Sequence, residues 1–455
     1  MNSLNVALLS AVDQVALLNK RAISPAELVD EHIRRIERLD PHLNAFVDFD
    51  ADRARAQAAQ PSTGSLAGLP LSIKSSIGVR SLRCEVGSTL RRGERAAEDA
   101  FAVAKLRAQG AIFLGATNCP EFLMAYETDN LLHGRTNNPW DLNRTPGGSS
   151  GGESAAIAAG LSAGGLGSDS GGSVREPAHF TGICSLKPTP GRISANGHVP
   201  QCVGPFSSLG AIGPMARTIA DVELLFSATC EDPYLAATTG ATDGLTVGWL
   251  ESGEDTPITS ETHAALESAV RALGQRGFRT RPFRSALLAD ARRLWTIFFV
   301  QCGAMFYQET VAGPRDRLSP MFADFLRDGE AEPRLTAEQL LHAWAEMDQL
   351  REQWKDATRD MPILLTPVCA IPAFQHGARS WNVEGRSVGY WEAMQFTQWF
   401  NLLACPAAVV PVGTSSEGLP IGIQVVGRPD EDEIVLRVAG VLDRVFGYSV
   451  PPFAA

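Results

Sequence analysis

The stretch that most restricts how this chain can fold runs from Thr145 to Pro188. It carries two clusters of glycine and serine, residues 147–152 and 168–173, on either side of a run of small apolar residues. Glycine accepts positive φ and lets a ligand approach the backbone closely. Successive free N–H groups in such a loop form a concavity that binds anions. A serine hydroxyl at its edge is a candidate nucleophile, and the neighbouring N–H groups can hold a developing oxyanion. One such cluster alone reads as a flexible turn or linker. Two clusters joined by Ala155-Ala156-Ile157-Ala158-Ala159 read differently. That segment predicts a buried helix with a small-residue face, which returns the second loop toward the first.

Two other motifs overlap the first cluster. Gly148-x-Ser150-x-Gly152 has the form of a nucleophile elbow, which needs a downstream Asp and His. His376 is available, but nothing around it resembles a triad loop. Gly147-x4-Gly152 begins like a phosphate-binding loop, yet Glu153 stands where that loop requires lysine.

The whole stretch resembles the amidase-signature enzymes, serine hydrolases that cleave amides and, in some members, carbamates or esters. The family pattern GGSSGG is met by residues 147–152, GxDxGGSxRxPA by residues 167–178, and GxxxLKPT by residues 182–189. The resemblance implies a Ser–cis-Ser–Lys triad. Carried over position by position, Ser173 is the nucleophile, Ser149 the bridging serine after a cis bond from Gly148, and Lys74 the base. The N–H groups of Ser170, Gly171, Gly172 and Ser173 are the implied oxyanion hole. Asp169 and Arg175 are the implied structural support, with Arg175 buried and paired to an acidic group.

Taken in order, Ser24-Pro25-Ala26-Glu27 reads as a helix start with a capping box. Leu28, His32, Ile33 and Ile36 share one face of the helix that follows, with His32 structural. Residues 68–74 read as a strand ending at Lys74. A lone lysine at a strand end is ordinarily solvated; the family's GxPxxxK pattern makes it the base. The family usually has aspartate after that lysine, and this chain has Ser75-Ser76. Residues 99–109 read as a helix and 111–115 as a strand. Thr117 to Phe122 match the family's TNxxEF, with Glu121 in a structural role. Leu123, Met124 and Tyr126 are candidates for the pocket wall, with core packing the alternative.

From about residue 240 to 361 no family motif stands, and helical patterns dominate. Trp295, Phe298, Phe299, Phe306 and Tyr307 read as core first, as lid or pocket wall second. Apolar strands return after Pro362, and residues 432–446 form a closing amphipathic helix. The resemblance implies an α/β fold: a single domain over 1–455 with a mixed, mostly parallel central sheet covered by helices on both faces. Within it, 1–60 are peripheral helices, 62–235 the signature core, 240–361 a variable helical region shaping the pocket, and 362–455 the strands and helix completing the sheet.

A net charge of −11 argues against nucleic acid or an anionic membrane as partner, since both need a basic face. Eight dispersed cysteines without a CxxC pair argue against metal or redox use. The N-terminus lacks the basic and apolar regions of a signal peptide, and no run of about 18 apolar residues occurs. A cytoplasmic protein with reduced thiols is expected, as monomer or homodimer, with no metal and no cofactor.

The chemistry so implied is hydrolysis of a neutral, rather hydrophobic amide, an aryl acylamide or aryl carbamate (urethane), with esters as further substrates. Two alternatives stay open: the glutaminase (A) subunit of a tRNA-dependent amidotransferase, and a non-catalytic scaffold.

Overall fold

The computed structural model describes residues 5–232, 244–250, 256–308, 310–311 and 315–455. Thirteen strands are found among them. The first six are β1 (Phe46–Phe49), β2 (Pro70–Lys74), β3 (Ile112–Thr117), β4 (Gly164–Asp169), β5 (Cys184–Lys187) and β6 (Ala211–Ala216). Then come β7 (Thr246–Leu250), β8 (Arg279–Phe283), β9 (Ile363–Pro367), β10 (Ser380–Val383), β11 (Arg386–Gly389), β12 (Ala407–Thr414) and β13 (Pro420–Gly427). Eleven of them form one sheet in the order β1-β3-β2-β4-β6-β5-β12-β13-β9-β7-β8, and β10 and β11 pair as a separate hairpin.

The sheet is mixed, as expected. Its parallel pairing lies in two blocks, β3-β2-β4 and β9-β7-β8. The neighbours between these blocks, and β1 against β3, are antiparallel. Parallel pairing thus lies toward the two ends of the sheet, and the site is built at the first of these blocks.

Side-chain alternation explains why helices cover both faces. Along β12, Ala408, Val410 and Val412 join one core and Val409 another on the opposite side. The first core is closed by the helices Ile219–Thr229, Ser260–Gly274 and Asp432–Phe446, each through one apolar face. The second takes residues of the helices Gly151–Ala158 and Arg175–Thr181. Helix Gly151–Ala158 is buried at every position, which its Gly, Ser and Ala content permits.

Helix Pro25–Leu43 starts with the expected capping box between Ser24 and Glu27. Its Val29, Ile33 and Ile36 pack against Ile112 and Leu114 of β3. The buried His32 lies 3.1 Å from the Gly160 carbonyl and 3.2 Å from Gln14. Two segments expected to be helical also supply strands. β1 lies within 1–60, and β7 and β8 lie within 240–361, of which 240–243, 251–255, 309 and 312–314 fall outside the described residues. β8 is exposed along much of its length. That leaves it without the apolar alternation by which a strand is recognised.

Candidate active site

β2 and β4 run side by side in the same direction, so their carboxyl ends meet at one edge. With β3 on one side of β2 and β4 on the other, the strand order reverses here, and the carboxyl ends at such a switch point are where α/β sheets place their ligands. Lys74 ends β2, Asp169 ends β4, and the second glycine–serine cluster follows Asp169 directly. Helix Gly151–Ala158 begins in the first cluster, and the Ser150 N–H donates to the Ser173 carbonyl at 3.1 Å. The two loops are therefore in contact, as the intervening helix predicts. Ser150 itself is fully buried, which removes it as an elbow nucleophile.

Lys74 has no exposed surface. Its Nζ lies 2.6 Å from Ser149 Oγ, 3.1 Å from Ser168 Oγ and 3.4 Å from the Ser168 carbonyl. Burial lowers its pKa to about 8, against the opposing pull of Cys119, Asp169 and Glu153. A lysine in this state supplies neutral amine near physiological pH. The Gly148–Ser149 peptide bond is cis. Near Lys74, Glu153 on the buried helix accepts from Ser72 at 2.6 Å and Thr117 at 2.7 Å, with burial pushing its pKa up to about 8, and Asp169 stands at the end of the neighbouring strand. Ser75 turns aside, 3.3 Å from Cys119 Sγ.

Ser173 is half-buried and lines an open-sided cleft together with Ser149, Ser168 and Ser170. No hydrogen bond joins the Ser149 and Ser173 hydroxyls in this geometry, among the bonds of the described residues. Catalytic contacts often close only with substrate in place.

The second loop is held by a buried ion pair. Arg175 donates to Asp169 through Nε at 3.0 Å and Nη2 at 2.9 Å, and to Gln424 and Asn401. Asp169 also accepts from the Gly172 N–H at 2.8 Å and the Val174 N–H at 3.1 Å. Of the expected oxyanion donors, the Gly172 N–H is already engaged by Asp169, whereas no bond among the described residues engages the N–H groups of Ser170, Gly171 and Ser173.

The carbonyls of the same loop are pinned from behind. Trp295 Nε1 donates to the Ser170 carbonyl at 2.9 Å. Tyr126 Oη at 3.0 Å and Thr397 Oγ1 at 2.7 Å donate to that of Gly171. A peptide plane whose carbonyl is fixed has its N–H fixed on the opposite side. The Gly171 N–H, which shares a plane with the Ser170 carbonyl, is thus aimed away from Trp295. A Cβ on Gly171 would come within 2.7 Å of Trp295 Cζ2, so only glycine fits there.

Leu123 and Met124 line the cleft, but Tyr126 does not. It is buried, with Gln398 donating to its hydroxyl at 3.0 Å, and serves the loop instead. The remaining wall is Phe122, Pro200, Gln201, Cys202, Phe206, Ala211, Phe299 and Tyr307, with His198 beside Ser168. Phe299 and Tyr307 are buried in the core as expected and also line the cleft, Phe298 is core, and Phe306 is 52% exposed. Glu121 is structural, accepting from Ser88 and from the Ser319 N–H. Phe206 is legible only in three dimensions; Trp295 and Phe299 stand out in the sequence as aromatics, but no motif marks what they face. Ser168 had a signal, as the residue preceding the motif aspartate.

A sequence profile of the amidase family matches residues 27–436. The chain is 33% identical to the A subunit of the glutamyl-tRNA(Gln) amidotransferase of Roseiflexus castenholzii, with 94% of each chain covered. Among solved structures, it is similar to 6-aminohexanoate cyclic dimer hydrolase in complex with substrate. That likeness has a TM-score of 0.87 at 26% identity and covers 99% of this chain and 100% of that one. A crystal structure described as an amidase gives a TM-score of 0.88 at 28% identity, covering 96% of this chain and 100% of that one. No helix among the described residues is long and apolar enough to cross a membrane.

Proposed function

Because this chain belongs to the amidase signature family and is an enzyme of amide C–N bonds, we propose that it hydrolyses a neutral, rather hydrophobic amide through an acyl-enzyme on Ser173. Aryl acylamides and aryl carbamates are the substrate classes, with esters as further substrates. The observation that carries this reading is the cleft wall: phenylalanine, leucine, methionine and tyrosine side chains, with no charged residue among those lining it.

An amide is a poor electrophile and serine a poor nucleophile at its free pKa. Neutral Lys74 takes the proton of Ser149, Ser149 takes that of Ser173, and Ser173 Oγ attacks the carbonyl carbon. The oxyanion is received by the N–H groups of Ser170, Gly171 and Ser173. The proton returns by the same path to the leaving amine, the C–N bond breaks, and water then hydrolyses the ester on Ser173. Lysine suits this role because burial favours its neutral form, which arginine does not reach.

The second reading, a glutaminase of the amidotransferase type, is favoured by the 33% identity to the Roseiflexus protein. Free glutamine carries an ammonium and a carboxylate at neutral pH. In this cleft both charges lose water without gaining a partner, which costs several kcal/mol per ion. Purified alone, the chain should turn over a nitroanilide or an aryl carbamate with a kcat/KM at least about a hundredfold above that for glutamine, a gap of about 2.7 kcal/mol. Glutamine as the better substrate reverses the choice.

A further inference from the structure

The cleft holds one buried imidazole that the steps above do not use. His198 lies between β5 and β6, with Nδ1 2.7 Å from the Pro200 carbonyl and Nε2 3.0 Å from Ser168 Oγ. A carbonyl oxygen only accepts, so in the neutral ring Nδ1 carries the proton and Nε2 is a bare acceptor. Burial lowers the His198 pKa to about 4, so the ring is neutral throughout the working range. The titratable groups facing it are Lys74, through Ser168, and Cys202, whose Sγ lies 3.6 Å from Nδ1.

The single proton of Ser168 Oγ therefore belongs to His198 Nε2. Toward Lys74 Nζ, Ser168 presents two acceptors, its hydroxyl oxygen at 3.1 Å and its carbonyl oxygen at 3.4 Å. A neutral amine has two N–H donors and one lone pair. With both N–H groups drawn to Ser168, the lone pair faces the remaining neighbour, Ser149 Oγ at 2.6 Å. We propose that His198 is a positioning residue that, acting through Ser168, aims the lone pair of Lys74 at Ser149. Without an acceptor at position 198, the Ser168 proton is free to turn onto Nζ and compete with Ser149 for the same lone pair. The inference rests on Lys74 being the base.

The test is steady-state kinetics of the whole chain on an aryl anilide from pH 6 to 10, with Lys74→Ala as the reference. His198→Ala should lower kcat on the alkaline plateau by about tenfold or more while KM stays within about threefold, an effect within the range of general-base catalysis. His198→Gln, whose amide oxygen accepts the Ser168 proton, should recover part of the loss. Ser168→Ala should lower kcat with KM held, and His198→Ala with Ser168→Ala should be no slower than the worse single variant, because both break one chain. Ser168→Ala also carries the test if His198→Ala does not fold. Wild-type kcat in both single variants beside an inactive Lys74→Ala overturns the inference and leaves Lys74 as base. A raised KM with unchanged kcat in His198→Ala also overturns it, making the ring a substrate contact. An active Lys74→Ala removes the premise itself.

Discussion

At the scale of single residues the decisive quantity is the protonation of Lys74. Its pKa in the fold is about 8, below the ordinary lysine value of 10.5, and burial is the main cause. The base form is the neutral one, so activity rises with pH and levels off above the pKa. A profile of kcat/KM against pH should have its half-maximum near 8. Lys74→Arg should be inactive at every pH, since a guanidinium stays charged. That Lys74, Ser149 and Ser173 come to one place was legible in the sequence because they sit in motifs of fixed spacing. The engagement of the Gly172 N–H was not, because it depends on which way the Asp169 carboxylate turns. Tyr126 misled for a related reason: an aromatic two residues from a pocket residue serves a pocket or a buried hydrogen bond equally well.

At the scale of elements, the loop after β4 is a device held from two sides. In front, Asp169 and Arg175 form a fully buried ion pair. Arg175→Met should leave that carboxylate buried and unpaired, with a loss of about 3–5 kcal/mol read as a lower denaturant midpoint. Behind, Trp295 comes from a helix with no recognisable motif and fixes the Ser170 carbonyl. Its ring also stacks on Phe299 with centroids 4.6 Å apart. Trp295→Phe keeps most of that packing and removes the N–H donor. A neutral hydrogen bond is worth about 1 kcal/mol net, so kcat should fall about fivefold with KM and thermal stability little changed. A change in KM alone would make Trp295 part of the wall rather than a brace.

At the scale of the whole molecule, the sheet topology explains which parts of the site the sequence left hidden. The site is assembled from β2, which comes much earlier in the chain, and from the helix Gly151–Ala158 and β4, which are adjacent in sequence, and each carries a motif. Part of the wall and of the brace comes from segments far along the chain, Phe299 and Tyr307 in one, Thr397 in another. Helix positions there follow from the helical patterns over 261–275 and 336–359, which fold as the helices Ser260–Gly274 and Ala337–Ala357. What those helices face did not. The exposed edge strand β8 escaped because nothing apolar alternates along it. The cleft's uncharged lining, on which the proposed substrate class rests, therefore belongs to the fold as a whole.

The proposed chemistry stands on a neutral, buried amine passing a proton through Ser149 to make Ser173 nucleophilic. Its most direct test is the rate at which an aryl fluorophosphonate forms an adduct, with the modified serine mapped by peptide mass. The adduct should fall on Ser173, faster as pH rises through about 8, and Lys74→Ala should slow it by about a hundredfold or more. An adduct on another serine, or an equal rate in Lys74→Ala, would contradict it.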